Sequence, residues 1–100
     1  MYKLVYKNPY LHDPLVWSNL DRKNTIRQAC EVMDAFRDEG CITIKSNASE
    51  RYFIRYYLGE AEFDIHRHAN GYHSTIYGRS FKTIVGALNK LDKLAATDRH

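Results

Sequence analysis

The segment between residues 41 and 77 alternates apolar and polar side chains and is interrupted by short turn sequences. This combination constrains the fold more than any other feature of the chain. Regular alternation is typical of a strand with one buried face. Since a shift of one residue moves every side chain of a strand to the other face, the turn lengths decide which side chains share the core. The segment therefore predicts four consecutive antiparallel strands.

The turns also predict how these strands pair. They are the hairpin turn Asn70-Gly71, the glycine-first turn Gly59-Glu60 and the loop over residues 47–49. Asn-Gly favours a two-residue turn with positive φ at both positions. Together the turns place four isoleucines in one row across the inner face, namely Ile42, Ile54, Ile65 and Ile76. They add Tyr52, Tyr56, Leu58 and Phe63 to the same buried face.

Two amphipathic segments predict helices that cover this inner face. The first spans residues 25–39, begins at a cap on Asn24 and ends at Gly40. Its apolar stripe is Ile26, Ala29, Cys30, Met33 and Phe36, so Cys30 is predicted to be a buried thiol. The second spans 81–95, is capped by Ser80 and carries the stripe Phe81, Ile84, Val85, Leu88, Leu91 and Leu94. Gly86 within it predicts a close contact.

The N-terminal segment is harder to assign. Residues 2–6 alternate and predict a short strand whose place in the sheet stays open. Residues 7–23 contain Asn8-Pro9 and Asp13-Pro14, and residues before proline avoid the helical region, so an aromatic loop packed on the domain is expected. The fold prediction is a single α+β domain over 1–100: an antiparallel four-stranded meander with two helices packed on one face, in the order β-α-β-β-β-β-α.

Charge and cysteine content limit the classes of function. The formal net charge of +3 permits a polyanionic partner and argues against a DNA mimic, which needs a strongly acidic surface. Two cysteines are too few for a disulfide scaffold. No apolar run approaches the ~18 residues that cross a bilayer, and the start lacks the features of a signal peptide. The expectation is a cytoplasmic protein with no membrane partner.

The outer face of the predicted sheet offers the main candidate site. The predicted register aligns Lys45, Arg51, His68 and His73 in one row. Lys45, Arg51 and Arg55 would hold phosphates, and Phe53, Tyr57 and Tyr77 would stack on bases. The leading prediction is a small non-catalytic binding module without a cofactor, acting through this face on a nucleic-acid backbone.

Two other classes of function stay open. Tyr2, Tyr6, Tyr10 and Trp17 would form an aromatic surface for another protein, as in a small inhibitor or adaptor. His66, His68 and His73 are weak candidates for zinc ligands, since three imidazoles can make such a site. A small nuclease would use His66, His68, Arg55 and Tyr77 as acid, base and phosphate clamp. No glycine-rich phosphate loop or nucleophile motif supports catalysis, and the oligomeric state stays open.

Overall fold

The computed structural model describes residues 1–60, 62–69 and 73–97, and of Ala69 and His73 the backbone alone. Its elements run β1 (Tyr2–Lys7), β2 (Leu15–Leu20), α1 (Arg22–Phe36), β3 (Cys41–Ser46), β4 (Tyr52–Tyr57), β5 (Asp64–Ala69), β6 (His73–Ile76) and α2 (Ile84–Thr97). The strands form one six-stranded sheet in the order β2-β1-β3-β4-β5-β6. The α+β class and the antiparallel sheet are confirmed. The four-stranded meander is wrong, because β1 and β2 extend it.

Strand β2 lies where a loop was predicted. Pro14 immediately precedes the strand. The prolines therefore lie in the connection between β1 and β2 and do not interrupt a strand. Pairing of Leu4 with Trp17 and of Tyr6 with Leu15 makes the first two strands a hairpin. The pairing shifts between Tyr2 and Leu4, where Asn19 adopts a positive φ of 56°. This irregularity hides the alternation that would have predicted the strand.

Both helices pack on the inner face of the sheet. Ala29 and Val32 of α1 share one buried cluster with Leu88 and Leu91 of α2 and with the inner side chains of the strands. Those strand side chains are fully or almost fully buried, and include Leu4, Tyr6, Ile42, Ile44, Ile54 and Ile65. Predicted inner residues Tyr52, Tyr56, Leu58 and Phe63 are buried there as well.

The register between β3 and β4 differs from the prediction by two residues. Ile54 pairs with Ile44, and Ile42 pairs with Tyr56. The loop between β3 and β4 spans residues 47–51 and is longer than predicted, and its Asn47 amide donates to the Met1 carbonyl at 3.0 Å. A two-residue shift preserves the faces, so Ile42 stays in the core. The predicted pairing of Ile54 with Ile65 across β4 and β5 is confirmed.

Strand β6 is displaced by one residue, which reverses its faces. Ile76 pairs with His66 instead of Ile65 and is 58% exposed, so its predicted place in the isoleucine row is wrong. Tyr77 donates its amide to the Ile65 carbonyl at 2.7 Å, and its ring meets that of Tyr52 at 5.0 Å. An aromatic ring buries more area than an isoleucine side chain. Placing Tyr77 instead of Ile76 on the core side therefore favours the observed register. The predicted Asn70-Gly71 turn lies outside the described residues.

Helix α1 begins earlier than predicted, and Ile26, Ala29, Met33 and Phe36 of its predicted apolar stripe pack on the core. Asp21, not Asn24, is the N-cap, and its carboxylate accepts a hydrogen bond from the Asn24 amide at 2.7 Å. The buried positions are Thr25, Ala29 and Val32. Cys30 is exposed, so its predicted burial is wrong.

Helix α2 begins at Ile84, later than predicted, because the preceding residues are extended. Phe81 forms a bridge with Phe63 through amide–carbonyl hydrogen bonds of 2.6 and 2.8 Å. The hydroxyl of Ser80 donates to Asp64 and does not cap the helix. The Thr83 hydroxyl accepts from the Gly86 amide at 3.1 Å instead, and Val85 is exposed.

Among the described residues, neither helix is long and apolar enough to cross a membrane.

Candidate nucleic-acid interface

The outer face of the sheet carries the predicted site, since both helices pack on the inner face. One row of directly opposed positions crosses five strands: Lys3, Lys45, Phe53, His66 and Ile76. The next row holds Val16, Val5, Thr43, Arg55 and Asp64. The sheet therefore brings two lysines side by side on β1 and β3, next to an aromatic ring on β4.

The predicted row of Lys45, Arg51, His68 and His73 does not form. Lys45 pairs with Phe53, while Arg51 precedes β4 and its carbonyl accepts from the His68 amide at 2.9 Å. His68 pairs with Ser74, and His73 pairs with Ala69. The two-residue shift of β4 and the one-residue shift of β6 are the physical causes. Arg51 and His68 still lie near one another at the same end of the sheet.

Phe53 is the centre of a compact cluster on this face. Its ring lies 4.6 Å from the His68 ring and 5.4 Å from the His66 ring. The Arg55 guanidinium carbon and the Lys45 Nζ lie 5.3 Å and 5.9 Å from the ring centroid, within reach of cation–π attraction. We call these residues the Phe53 cluster: Lys45, Phe53, Arg55, His66 and His68. Phe53 is only 2% exposed, so its predicted role as a free stacking platform is wrong.

His66 is the buried histidine of the cluster. It is 8% exposed, and its Nδ1 lies 3.1 Å from the Ser74 hydroxyl in a hydrogen bond. Burial lowers its pKa, and the neighbouring Arg55 charge lowers it further, against a smaller opposing effect of Asp64. His66 is therefore neutral at neutral pH. The fixed charges of the cluster belong to Lys45 and Arg55.

These fixed charges have no partner of opposite sign among the described residues. Lys3, Lys45 and Arg55 form no ion pair with a described carboxylate. Asp64 pairs with Arg55 along the ladder, but its carboxylate accepts the Ser80 hydroxyl. A depression of about 370 Å³ opens at this end of the sheet, lined by residues that include Lys3, Lys45 and His68, with Glu50 as its acidic member. The arrangement can accept an anion between the lysines.

The other predicted stacking residues lie apart. Tyr57 is 44% exposed and opposes Cys41 at the far end of the face. Burial raises the pKa of the Cys41 thiol, which makes it a weak nucleophile at neutral pH. Tyr77 packs on the core side against Tyr52, so its predicted place on the outer face is wrong.

The aromatic surface predicted for a protein partner does not form. Tyr2 and Tyr6 are buried in the core, and Trp17 packs against it. Tyr6 stacks on Phe36 at 4.2 Å and donates its hydroxyl to the Glu39 carbonyl at 2.6 Å. Only Tyr10 of the four is broadly exposed, at 82%. Tyr2 and Tyr6 are buried because they project from β1 to the inner face of the sheet, which the two helices cover.

The residues suggested for metal binding or catalysis are only partly brought together. Within the described residues, no group of three or more His, Cys, Asp or Glu side chains can hold a metal ion. His66, His68 and Arg55 meet around Phe53, but Tyr77 does not join them. The pairing of His73 with Ala69 removes it from the register position beside His68.

Sequence reasoning missed Lys3 as a member of this site. The alternation of β1 does indicate that Lys3 and Lys7 lie on the face opposite to Leu4 and Tyr6. Its position beside Lys45 depends on β1 pairing with β3, which no local pattern predicts. The burial of Phe53 was missed because its cover comes from side chains on three strands, namely Lys45 of β3, Arg55 of β4, and His66 and His68 of β5.

The fold and this face define a two-layer α+β protein with two helices on one side of a six-stranded antiparallel sheet and a cationic site on the other. Comparison of the chain with protein-family models, with curated proteins and with solved structures found no match.

Proposed function

We propose that this protein is a small non-catalytic binding module that holds a nucleic-acid backbone on the outer face of its sheet. The observation that carries the proposal is the direct opposition of Lys3 and Lys45 beside the Phe53 cluster. Like charges directly opposite each other are destabilising in a sheet. An anion between them reverses this effect, so the arrangement favours a phosphate.

The buried ring of Phe53 supports the proposal by orienting the cations. Lys45 and Arg55 extend over its ring, which restricts their side chains before any ligand arrives. Less conformational entropy is then lost on binding. Neighbouring strands lie ~4.8 Å apart, so Lys3, Lys45 and Arg55 on three strands span ~10 Å, a distance that suits successive phosphates better than one small anion.

The same geometry favours binding without sequence preference. Stacking on bases needs an exposed ring, and Phe53 is covered while Tyr57 lies at the far end of the face. Phosphate contacts position a nucleic acid but do not read its sequence. We therefore expect comparable affinity for unrelated sequences and a steep dependence on salt.

Titration of labelled single- and double-stranded DNA and RNA tests the proposal. The variant Lys3→Ala/Lys45→Ala should weaken binding to every sequence, and each lost phosphate contact should lower the salt slope by about 1. The control Lys23→Ala/Lys82→Ala removes the same charge from exposed helix and loop positions away from the face. It should bind like the wild type. Equal weakening by both variants, or no wild-type binding tighter than ~10⁻⁴ M at low salt, excludes this function.

A further inference from the structure

A second cleft lies in the helix layer, on the side of the molecule away from the outer sheet face. It opens between the extended residues 77–81 and α2 and has a volume of about 640 Å³. Its main walls are Tyr77, Arg79, Phe81, Gly86, Lys90 and Lys93. Pockets for small organic ligands have volumes of ~300–1,000 Å³. The cleft is therefore of a suitable size for an organic ligand and much larger than a single inorganic anion needs.

The described residues that line the cleft carry charges of one sign. Arg79, Lys90 and Lys93 are among them, and none of these residues is acidic. None of the three forms an ion pair with a described carboxylate. The nearby Asp92 of α2 is already engaged, since it accepts from Arg22 at 3.0 Å and from the Tyr2 hydroxyl at 2.5 Å. The cleft therefore favours a ligand with several negative charges.

The two aromatic residues that line the cleft, Phe81 and Tyr77, are held in place by contacts with the rest of the domain. Phe81 is fixed by its backbone bridge to Phe63 and packs so closely on α2 that a Cβ at Gly86 would lie 3.3 Å from its Cδ1. Tyr77 is fixed by its amide hydrogen bond to Ile65 and by the ring of Tyr52. Arg79 lies over the Phe81 ring with its guanidinium carbon 5.1 Å from the centroid. The aromatic rings of this wall, and the guanidinium over one of them, are therefore positioned before a ligand arrives.

We propose that this cleft binds a free nucleotide that carries a polyphosphate. Its base would lie against the wall of Tyr77 and Phe81, and its phosphates would contact Lys90, Lys93 and Arg79. Gly86, Lys90 and Lys93 recur at intervals of four and three residues, so the two lysines extend from one face of α2 beside the aromatic wall. The proposal is independent of the nucleic-acid site, since no residue of the Phe53 cluster lines the cleft.

Calorimetric titration with ATP, adenosine and inorganic tripolyphosphate tests this assignment. We expect ATP to bind most tightly, because only ATP uses both the aromatic wall and the cations. The variant Lys90→Gln/Lys93→Gln should weaken ATP binding ~10-fold or more, as expected when charge-assisted contacts are lost. The variant Lys23→Ala/Lys82→Ala loses the same charge outside the cleft and should retain wild-type affinity.

Amide chemical shifts of the wild type provide a second measurement that requires no variant. ATP should shift the amides of Gly86, Lys90 and Lys93. No binding at about 1 mM ATP overturns the proposal. Shifts confined to the outer face, equal weakening by both lysine variants, or tripolyphosphate binding as tightly as ATP overturn it as well.

Discussion

At the scale of single residues, Phe53 and His66 are buried although they lie on the outer, largely polar face of the sheet. Phe53 projects away from the main core and is nevertheless only 2% exposed. Its cover consists of the stems and charged heads of Lys45 and Arg55 and the rings of two histidines. Long cationic side chains can cover apolar surface while their heads stay near water. The Phe53 ring thus packs against Lys45 and Arg55 without being exposed itself.

The burial of His66 predicts a pH dependence of stability. Its pKa is lowered in the folded protein, chiefly by burial and then by Arg55. The unfolded chain therefore takes up a proton near the ordinary histidine pKa of ~6.5, while the folded protein resists it. The contribution of His66 to stability is present above that pH and is lost as the pH falls below it.

Urea unfolding of the wild type and of His66→Gln at about pH 7.5 and 5.5 measures this effect. Glutamine retains a hydrogen-bonding group for Ser74 but does not titrate. The advantage of the wild type over the variant in the free energy of unfolding should shrink at the lower pH. An advantage that stays constant or grows would show that His66 protonates as easily in the folded state as in the unfolded one.

At the scale of elements, the register of β6 decides which side chains enter the core. Ile54 and Ile65 are fully buried opposite one another, while Ile76 pairs with His66 and is exposed. Strand preferences span ~1 kcal/mol, which is less than the gain from burying a large aromatic side chain. Tyr77 therefore reaches the core side in place of Ile76.

A pair of matched truncations tests this register. Ile54→Ala should lower the free energy of unfolding by ~2–5 kcal/mol, the cost of a cavity in a packed core. Ile76→Ala removes the same atoms from an exposed position and should cost less than ~1 kcal/mol. Both are measured by urea denaturation under one set of conditions. Similar losses for the two variants would support the register in which the four isoleucines form one row.

At the scale of the whole molecule, Asp92 connects the C-terminal helix to the N-terminal part of the chain. Its carboxylate accepts from the Tyr2 hydroxyl of β1 at 2.5 Å and from Arg22 of α1 at 3.0 Å. Burial, followed by the hydrogen bond to Asp92, raises the pKa of Tyr2 to about 12. The hydroxyl therefore stays protonated and donates throughout the neutral and mildly alkaline range.

Asp92→Ala should lower the free energy of unfolding by ~1–3 kcal/mol, because Tyr2 loses its acceptor in a largely buried site. The ion pair with Arg22 contributes little of this, since both side chains are more than a third exposed and solvent screens the charges. Asp34→Ala, at an exposed position of α1, is the matched control and should cost less than ~0.5 kcal/mol. A double-mutant cycle with Tyr2→Phe measures the coupling, and additive effects would rule out the proposed link.

Local patterns in the sequence were sufficient for part of the fold and of the site. Alternation identified β1 and the four strands from Cys41 onward, and the Gly59-Glu60 turn predicted the pairing of Ile54 with Ile65. Helical periodicity located both helices and most of the buried face of α1, although the helix ends differ and Cys30 is exposed. Lys45, Arg55 and His68 were correctly placed on the outer face, because alternation along a strand is a local property.

Only the tertiary structure decided the rest. The addition of β2, the place of β1 beside β3 and the shift of β6 all depend on contacts between distant parts of the chain. These contacts place Lys3 beside Lys45, bury Tyr2 and Tyr6, and direct Tyr77 to the core side of the sheet. The physical reason is that turn and strand preferences are each small, whereas the burial of large side chains between elements is larger and depends on every element at once.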